Sequence, residues 1–114
     1  MTEEHWRIRL GDEAERDFAR ILAHTRDNFG LLQLDVYRST LIAAMAELEA
    51  GPDVLGSLSR DEIHPGLRTL HVARKGRRGR HLIMYRARPD HIIDVVRILH
   101  DAMDFARHVP TKLD

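Results

Sequence analysis

The stretch that decides the fold is Gly66–Arg86, which reads GLRTLHVARKGRRGRHLIMYR. Two apolar runs, predicted as the strands Leu67–Ala73 and Leu82–Ala87, flank a tip that carries five basic residues and two glycines. Because glycine adopts positive φ angles at low cost, Gly76 and Gly79 are expected to reverse the backbone and make a β-hairpin. Positive charge concentrated at the turn indicates an anionic partner.

Length and composition favour one small soluble domain. The 114 residues suit a single domain, 1–114, with one core. The sequence contains no cysteine, which excludes disulfides and thiolate chemistry. No apolar run approaches the roughly 18 residues that span a bilayer, and the acidic N-terminus lacks an apolar signal core. We therefore expect a cytoplasmic protein that does not bind membranes.

The net charge is zero, but the charges are distributed unevenly along the chain. Residues 1–66 contain 7 arginines and 13 acidic residues, a net charge of −6, whereas residues 67–114 contain 11 basic and 5 acidic residues, a net charge of +6. The two halves could neutralise each other in the fold, or the basic half could keep one face free for a partner. All basic residues except Lys75 and Lys112 are arginines, which bind carboxylate and phosphate groups through paired hydrogen bonds.

The residues before the hairpin predict one strand and two helices. Trp6, Ile8 and Leu10 alternate with arginines, which is typical of a half-buried strand. Apolar residues at helical spacing then predict a helix over residues 13–28, ended by Gly30, and a second helix that ends before residue 51. So short a connection makes the two helices antiparallel neighbours, a helical hairpin.

The residues after the hairpin complete an α+β fold. The run Ile92–Leu99 is apolar on both faces, which is typical of a central strand covered on both sides. With the hairpin strands it predicts a three-stranded antiparallel meander, whose edge the N-terminal strand joins. Apolar residues between 101 and 109 predict a short C-terminal helix. The expected order is an N-terminal strand, an antiparallel helical hairpin on one face of the sheet, the meander, and the short helix.

No sequence motif identifies a catalytic or cofactor site. The hairpin glycines do not precede a helix, as they would in a phosphate-binding loop. His71 and His81 lie on strands that should pair, but no third ligand for a metal has a suitable spacing. We expect no metal and no cofactor. A nuclease would need a base and a cation beside the scissile phosphate, and the residues available for such a role are Arg74, His81, Tyr85 and Arg86.

A series of short strings carries a family resemblance that covers nearly the whole chain. In order they are WRIRL (6–10), EAERDF (13–18), FG (29–30), GS (56–57), RDEI (60–63), PGLR (65–68), YR (85–86), RILHD (97–101) and MD (103–104). Together they resemble the ParE-type toxins of the RelE/ParE superfamily, the plasmid-stabilisation toxins of type II toxin–antitoxin modules. The resemblance implies two helices packed against an antiparallel sheet, in a single toxin domain.

The resemblance also implies partners. A ParD-like antitoxin, encoded alongside, is expected to fold its disordered C-terminal segment around the toxin, since folding on binding lets a short segment cover a large surface. Complexes of this type are commonly heterotetramers, in which only the antitoxin contacts operator DNA. The implied target of ParE-like toxins is DNA gyrase, whose inhibition arrests growth, whereas RelE-like relatives cut messenger RNA on the ribosome.

The C-terminal segment favours gyrase inhibition over RNA cleavage. RelE-like nucleases resemble one another in carrying a tyrosine or another acid–base group there. In this chain no tyrosine follows Tyr85, and residues 100–104 read HDAMD, which is acidic. We therefore expect a toxin that inhibits gyrase by binding, without a chemical step. The alternatives are a ribosome-dependent mRNA endoribonuclease and a non-toxic co-repressor that only binds the antitoxin.

Two sets of residues are candidates for contact with partners. The residues expected to face the target are Arg74, Arg77, Arg78, Arg80, Arg97, His100, Asp101 and Asp104. The residues expected to bind the antitoxin are Leu31, Leu34, Leu41, Met45, Arg68 and Arg86. The apolar members of the second set could equally belong to the core.

Overall fold

The computed structural model describes residues 5–111 and residue 113, and within them a five-stranded sheet. The strands are β1 (Arg7–Leu10), β2 (Leu58–Ser59), β3 (Leu67–His71), β4 (His81–Arg88) and β5 (Ile92–His100), in the spatial order β1-β5-β4-β3-β2. Strands β3, β4 and β5 form the predicted antiparallel meander, and β1 joins its edge parallel to β5. The α+β class is therefore confirmed. Strand β2 was not predicted, because two residues are too few to show an alternating pattern.

The helical residues form one segment, α1 (Asp12–Glu47), where two separate helices were predicted. The segment is broken at Gly30, whose φ of 92° and ψ of 176° are not helical. A straight helix of 36 residues would be about 54 Å long, whereas the longest dimension of the molecule is 40 Å. The backbone N–H of Trp6 donates to the carbonyl of Glu49 at 2.9 Å, so the chain after α1 returns to the strand that precedes it. The short connection expected between the two helices is thus a single non-helical residue, Gly30.

The two halves of α1 pack on the same face of the sheet. Each half contributes buried apolar side chains at helical spacing, which explains why the sequence favours a helix on both sides of Gly30. The core between α1 and the sheet consists chiefly of Ala14, Leu22, Leu41, Ala44, Met45, Leu48, Leu70, Val72, Ile83, Tyr85, Ile93, Val95 and Ile98. No helix among the described residues is long and apolar enough to cross a membrane.

The opposite face of the sheet is covered by the C-terminal residues. A second apolar cluster contains Leu67, Leu82, Met84, Val96, Leu99 and Leu113, with Ile63, Phe105 and Val109 packed against it. The predicted short C-terminal helix is a 3-10 helix, Phe105–His108. Strand β5 therefore buries side chains on both faces, as its continuous apolar run predicts.

Candidate functional site

The turn between β3 and β4 positions the basic residues that the sequence singles out. Lys75 and Gly76 have positive φ angles of 51° and 82° and reverse the chain. Gly79 does not have a positive φ, which corrects the expectation that both glycines make the turn. A Cβ atom there would lie 2.7 Å from Val72 Cγ2 and 2.8 Å from Tyr37 Oη. Gly79 is thus the residue that lets Tyr37 approach the base of the hairpin.

The basic side chains of the hairpin do not form one free surface. Arg74 Nε lies 3.1 Å from each carboxylate oxygen of Glu47, and its Nη2 lies 2.9 Å from Glu47 Oε1. The two side chains are only 18% and 19% exposed, and the hydrogen bond from Arg74 lowers the pKa of Glu47. Arg74, expected to face the target, therefore fastens the hairpin to the end of α1. Arg77 and Arg78 are exposed.

Arg80 and Asp101, both expected to face the target, are joined to each other. Arg80 Nε lies 3.2 and 3.3 Å from the two carboxylate oxygens of Asp101, and His71 Nε2 lies 2.9 Å from Asp101 Oδ2. These hydrogen bonds, the one from Arg80 first, lower the pKa of Asp101 to about 2. The carboxylate is therefore ionised at neutral pH, and its charge offsets that of Arg80.

Backbone and amide donors assign the tautomers of three nearby histidines. His71 Nδ1 accepts the Ala73 N–H at 3.0 Å, and His100 Nδ1 accepts the Ala102 N–H at 3.1 Å. His24 Nδ1 lies 3.2 Å from the side-chain amide nitrogen of Asn28. A ring nitrogen that accepts cannot carry the proton, so each neutral ring is protonated on Nε2.

Tyr37 fixes His81 in the same tautomer. The Tyr37 oxygen accepts the backbone N–H groups of Arg80, at 3.3 Å, and of His81. Its hydroxyl proton is therefore available to His81 Nδ1, which lies 2.6 Å away. Burial, with the neighbouring His100, lowers the pKa of His81 to about 4, and burial raises the pKa of Tyr37. Both side chains are uncharged at neutral pH.

These groups line a groove between α1 and the base of the hairpin, which we call the histidine groove. It has a volume of about 480 Å³ and is lined by His24, Thr25, Phe29, Gln33, Tyr37, Gly79, Arg80, His81 and His100. Several large apolar side chains around the break in α1 are exposed, namely Phe29, Leu31, Leu32 and Val36. Sequence reasoning missed Tyr37, His24 and Phe29. The one available signal was Gly30, the residue that turns the helical segment.

A second charged network holds Arg97, which was also expected to face the target. Arg97 Nε and Nη2 lie 2.7 and 2.9 Å from the carboxylate of Asp17, and Arg97 Nη1 lies 3.0 Å from the carbonyl of His108. Asp17 is buried, and the side chain of Arg97 is only 13% exposed. Arg97 therefore joins α1 to β5 and to the 3-10 helix, and its contact with a target stays a prediction. Asp104 lies on the surface, 3.7 Å from Arg107.

Similar proteins place this fold in a known family. The family described as "ParE toxin of type II toxin-antitoxin system, parDE" matches residues 8–105. This chain belongs to that family. Proteins named Toxin ParE1 from two strains of Mycobacterium tuberculosis are 33% identical over 103 residues, which covers 90% of this chain and 97% of the relative.

Two solved structures share the fold of this ParE-family chain. One is a chromosomal ParDE toxin–antitoxin system from P. aeruginosa, with a TM-score of 0.66 and 19% identity over 85% of this chain and 97% of that one. The other is the RelBE2 toxin–antitoxin complex from Mycobacterium tuberculosis, with a TM-score of 0.51 and 18% identity over 84% of this chain and 98% of that one. At these identities the likeness concerns the fold.

The apolar residues expected to bind a ParE antitoxin differ in their accessibility. Leu41 and Met45 are buried in the core under α1, where they present almost no surface. Leu34 packs partly against that core. Leu31 is 71% exposed, next to the break in α1. Of these four side chains, Leu31 offers a partner the most surface, and its contact with an antitoxin stays a prediction.

Arg68 and Arg86, the two arginines expected to bind the antitoxin, lie on strands β3 and β4. Arg68 donates from Nε to the carbonyl of Pro52 at 3.1 Å and from Nη2 to Ser57 Oγ at 2.8 Å, so it holds the loop before β2. Arg86 is buried and lines a cavity of about 350 Å³ together with Arg9, on the side of Leu113. Burial leaves Arg86 little surface for a partner, whereas the side chain of Arg68 is 24% exposed.

The residues considered for a ParE-fold nuclease do not meet at one point. Tyr85 is fully buried under α1, and its hydroxyl donates to the carbonyl of Pro52 at 2.6 Å. Arg86 follows it on β4 and therefore lies on the opposite face of the sheet. Arg74 is bonded to Glu47, whereas His81 is bonded to Tyr37. Among the described residues there is also no group of three potential metal ligands.

Proposed function

We propose that this ParE-family toxin inhibits DNA gyrase by binding it and is neutralised by a ParD-like antitoxin. The observation that carries the proposal is the separation of the candidate catalytic groups. Acid–base catalysis on a phosphodiester needs a base and a cation within hydrogen-bond reach of the same phosphate. Tyr85 is buried and bonded to Pro52, and the neighbouring Arg86 lies on the other face of the sheet. A function based on binding requires no such convergence.

Two features support an antitoxin as the neutralising partner. Both solved relatives come from toxin–antitoxin systems. In addition, Phe29, Leu31, Leu32 and Val36 leave large apolar side chains exposed around the break in α1. Large exposed apolar side chains, gathered in one short segment, are a feature of surfaces that bind other proteins. An antitoxin segment that folds on binding could cover them.

A supercoiling and DNA-cleavage assay with purified gyrase tests the proposed activity. We expect the toxin to reduce supercoiling or to accumulate cleaved DNA, and the antitoxin to reverse the effect. Arg77→Glu, on the exposed hairpin tip, should weaken the inhibition several-fold, whereas Arg107→Glu, also an exposed arginine, should not. Tyr85→Phe should retain the activity, because the hydroxyl takes no part. Unchanged supercoiling and cleavage at an excess of toxin would contradict gyrase as the target.

One observation favours a second candidate, a ribosome-dependent endoribonuclease. His81, His100 and the pair formed by His71 and Asp101 gather imidazoles beside Arg80 at one end of the sheet. This function predicts cuts at codon positions in translated messages and loss of toxicity in His81→Ala. Intact messages during growth arrest would exclude it. Expression without the antitoxin that causes no growth defect would contradict both toxic functions.

A further inference from the structure

The hairpin tip, residues 73–80, contains a tight turn that gathers positive charge. The backbone N–H of Arg77 donates to the carbonyl of Arg74 at 2.9 Å, and the two residues between them, Lys75 and Gly76, both have positive φ angles. Two such angles in succession are typical of a type I′ turn, whose first and last Cα atoms lie within about 7 Å of each other. This spacing is less than the Debye length of about 8 Å at physiological ionic strength, so the charges of the turn act on a partner together.

Part of this positive charge is neutralised within the fold. Glu47 lies 2.9 Å from Arg74 and 3.5 Å from Lys75. Asp101 lies 3.2 Å from Arg80. The two carboxylates offset two of the five positive charges of the hairpin tip, so a net charge of +3 is left for a partner.

The remaining charge is accessible to a partner. Arg77 and Arg78 are exposed, and the side chain of Lys75 is 75% exposed. Lys75 occupies the first central position of the turn with a φ of 51°, where glycine, asparagine and aspartate are favoured and a lysine is strained. Backbone strain of this kind persists mainly at functional sites. Because an exposed lysine contributes nothing to the core, its presence there points to a use for its charge.

The composition of the hairpin tip distinguishes a nucleic acid from a protein partner. The buried centre of a protein interface is apolar and is anchored by aromatic and other large side chains. The tip reads ARKGRRGR, in which the methyl group of Ala73 is the only apolar side chain. Cations and glycines cannot make such a centre. They fit the regular negative charge of a phosphodiester backbone, which guanidinium groups bind through paired hydrogen bonds.

The hairpin tip also favours a duplex over a single strand. Single-stranded DNA and RNA are held by aromatic rings on which the bases stack, and residues 73–80 contain no aromatic side chain. A duplex needs no stacking partner, because its phosphates lie on the outside. They carry one negative charge per about 1.7 Å of helix axis, so several cations of one turn can be neutralised together.

We propose that the hairpin tip binds the phosphate backbone of duplex DNA without reading its sequence. Lys75, Arg77 and Arg78 each neutralise one phosphate. Arg74 and Arg80 stay bonded to their carboxylates and fix the position of the tip. This binding goes beyond the proposed function, because it requires no gyrase. Combined with that function, it lets the toxin contact the DNA that gyrase holds as well as the enzyme.

Fluorescence anisotropy of a labelled DNA duplex, titrated with the purified full-length toxin at several salt concentrations, tests the assignment. Neutralisation of three phosphates predicts a slope of about −2.7 for the logarithm of the association constant against that of the salt concentration, which is roughly a 40-fold loss of affinity between 50 and 200 mM salt. Arg77→Gln and Arg78→Gln should each weaken binding several-fold and make the slope shallower by about 0.9. Lys75→Asn should do the same without loss of stability, because asparagine is favoured at its position in the turn.

The matched control is Arg107→Gln, at an arginine outside the hairpin tip whose side chain is 82% exposed. It should bind the duplex within about twofold of the wild type, with an unchanged salt slope. Two duplexes of unrelated sequence should also bind equally well. All four variants alter exposed side chains, and thermal unfolding verifies that they fold. A wild-type slope shallower than about −1, or tip variants that bind like the control, would overturn the proposal.

Two further measurements separate the DNA contact from other partners of the hairpin tip. A single-stranded RNA of the same length should bind more weakly than the duplex, and tighter binding of the RNA would overturn the choice of partner. Binding of the toxin to gyrase without DNA should be the same for Arg78→Gln and the wild type. If that variant loses gyrase and keeps the duplex, the tip contacts the protein and not the DNA.

The supercoiling assay distinguishes failure of this inference from failure of the proposed function. Duplex binding that depends on the hairpin tip, without any inhibition of gyrase, would refute gyrase as the target and leave the DNA contact in place. Inhibition of gyrase by a wild-type toxin that binds no duplex would refute the DNA contact alone.

Discussion

At the scale of single residues, Asp17 connects three parts of the molecule. Its carboxylate accepts from Arg97 Nε at 2.7 Å and from the backbone N–H of Ile98 at 2.9 Å. Arg97 in turn donates to the carbonyl of His108. One buried acid thus ties α1 to strand β5 and to the 3-10 helix beyond it. Burial alone would raise the pKa of Asp17, but the hydrogen bonds from Arg97 and Ile98 outweigh burial and lower it.

Replacing Asp17 by Asn should therefore destabilise the protein by about 3 kcal/mol, because Arg97 would keep its charge in a mostly buried position with only the more exposed Glu13, 3.7 Å away, as a counter-charge. Urea unfolding followed by circular dichroism measures the change. The matched control is Asp35→Asn, at an exposed aspartate of the same helical segment that lies 3.6 Å from Arg38. It should cost less than about 1 kcal/mol. Equal losses of unfolding free energy in the two variants would show that the buried ion pair stabilises the protein no more than the exposed one.

His81 should make stability depend on pH below neutrality. Burial and the nearby His100 lower the pKa of its ring from 6.5 to about 4, so the unfolded chain takes up a proton that the folded chain does not. The stabilisation is complete above pH 6.5 and is lost as the pH falls from 6.5 to about 4. We expect a loss of about 1–2 kcal/mol, less than the full shift implies, because the ring is partly exposed.

The free energy of unfolding is measured at pH 7, 5.5 and 4.5 for the wild type, for His81→Gln and for the control His5→Gln. His5 is an exposed histidine. The first variant should lose this part of the pH dependence, and the second should retain it. Asp17 and Asp101 have pKa values lowered from 3.8, and Glu47 has a pKa lowered from 4.5, so these acids lower stability mainly below about pH 5. All three proteins share that loss, so the difference between His81→Gln and the wild type reports the histidine. An identical pH profile for His81→Gln and the wild type would contradict the assignment.

Arginines and partners distant in sequence explain why the candidate site was only partly predictable. Arginine is a residue that commonly forms ion pairs, so the pairing of Arg74 and Arg97 is expected. Nothing in the neighbouring sequence, however, shows that their acidic partners are Glu47 and Asp17, which lie 27 and 80 positions earlier. The same holds for Tyr37 and His81, 44 positions apart. The sequence places Arg77 and Arg78 at the hairpin tip, and they are exposed there because a turn leaves them few neighbours.

At the scale of elements, the break in α1 is the feature that most depends on one residue. Gly30 was predicted to end a helix, and it does interrupt the helical backbone, with φ of 92° and ψ of 176°. The apolar spacing also predicted that a second helix starts almost at once, and helical structure does resume directly after Gly30. What the pattern could not show is that one non-helical residue is enough to join the two helices. The meander was predictable because its alternating runs are long, whereas strand β2 is only two residues.

Replacing Gly30 by Ala should cost about 1–3 kcal/mol, because its backbone conformation is nearly restricted to glycine. A Cβ at this position would have no atom within 4 Å, so the variant tests backbone strain without a steric clash. Urea unfolding measures the loss of unfolding free energy. Gln33→Ala, at an exposed position on the resumed helix, should stay within about 0.5 kcal/mol of the wild type. Full stability of Gly30→Ala would mean that the break is not required there.

At the scale of the whole molecule, some charges of the acidic and basic halves neutralise each other in the fold, and other basic residues stay exposed. Acidic residues of the first half pair with basic residues of the second, as Asp17 does with Arg97 and Glu47 with Arg74 and Lys75. The hairpin tip keeps exposed arginines that these pairs do not neutralise. The fold thus uses part of the basic half for cohesion and presents another part to solvent, where a partner can reach it.

The two faces of the sheet should contribute comparably to stability, although α1 covers one and mainly C-terminal residues cover the other. Ile98 and Leu99 are adjacent on β5, equally buried at 2% exposure, and belong to different clusters. Ile98→Ala and Leu99→Ala should each cost about 2–5 kcal/mol in urea unfolding, since each leaves a cavity in a packed cluster. Leu55→Ala, at a side chain that is 90% exposed, should change stability by less than about 0.5 kcal/mol. If Leu99→Ala behaved like Leu55→Ala, the C-terminal residues would not form a packed layer, and the sheet would have a single stabilising face.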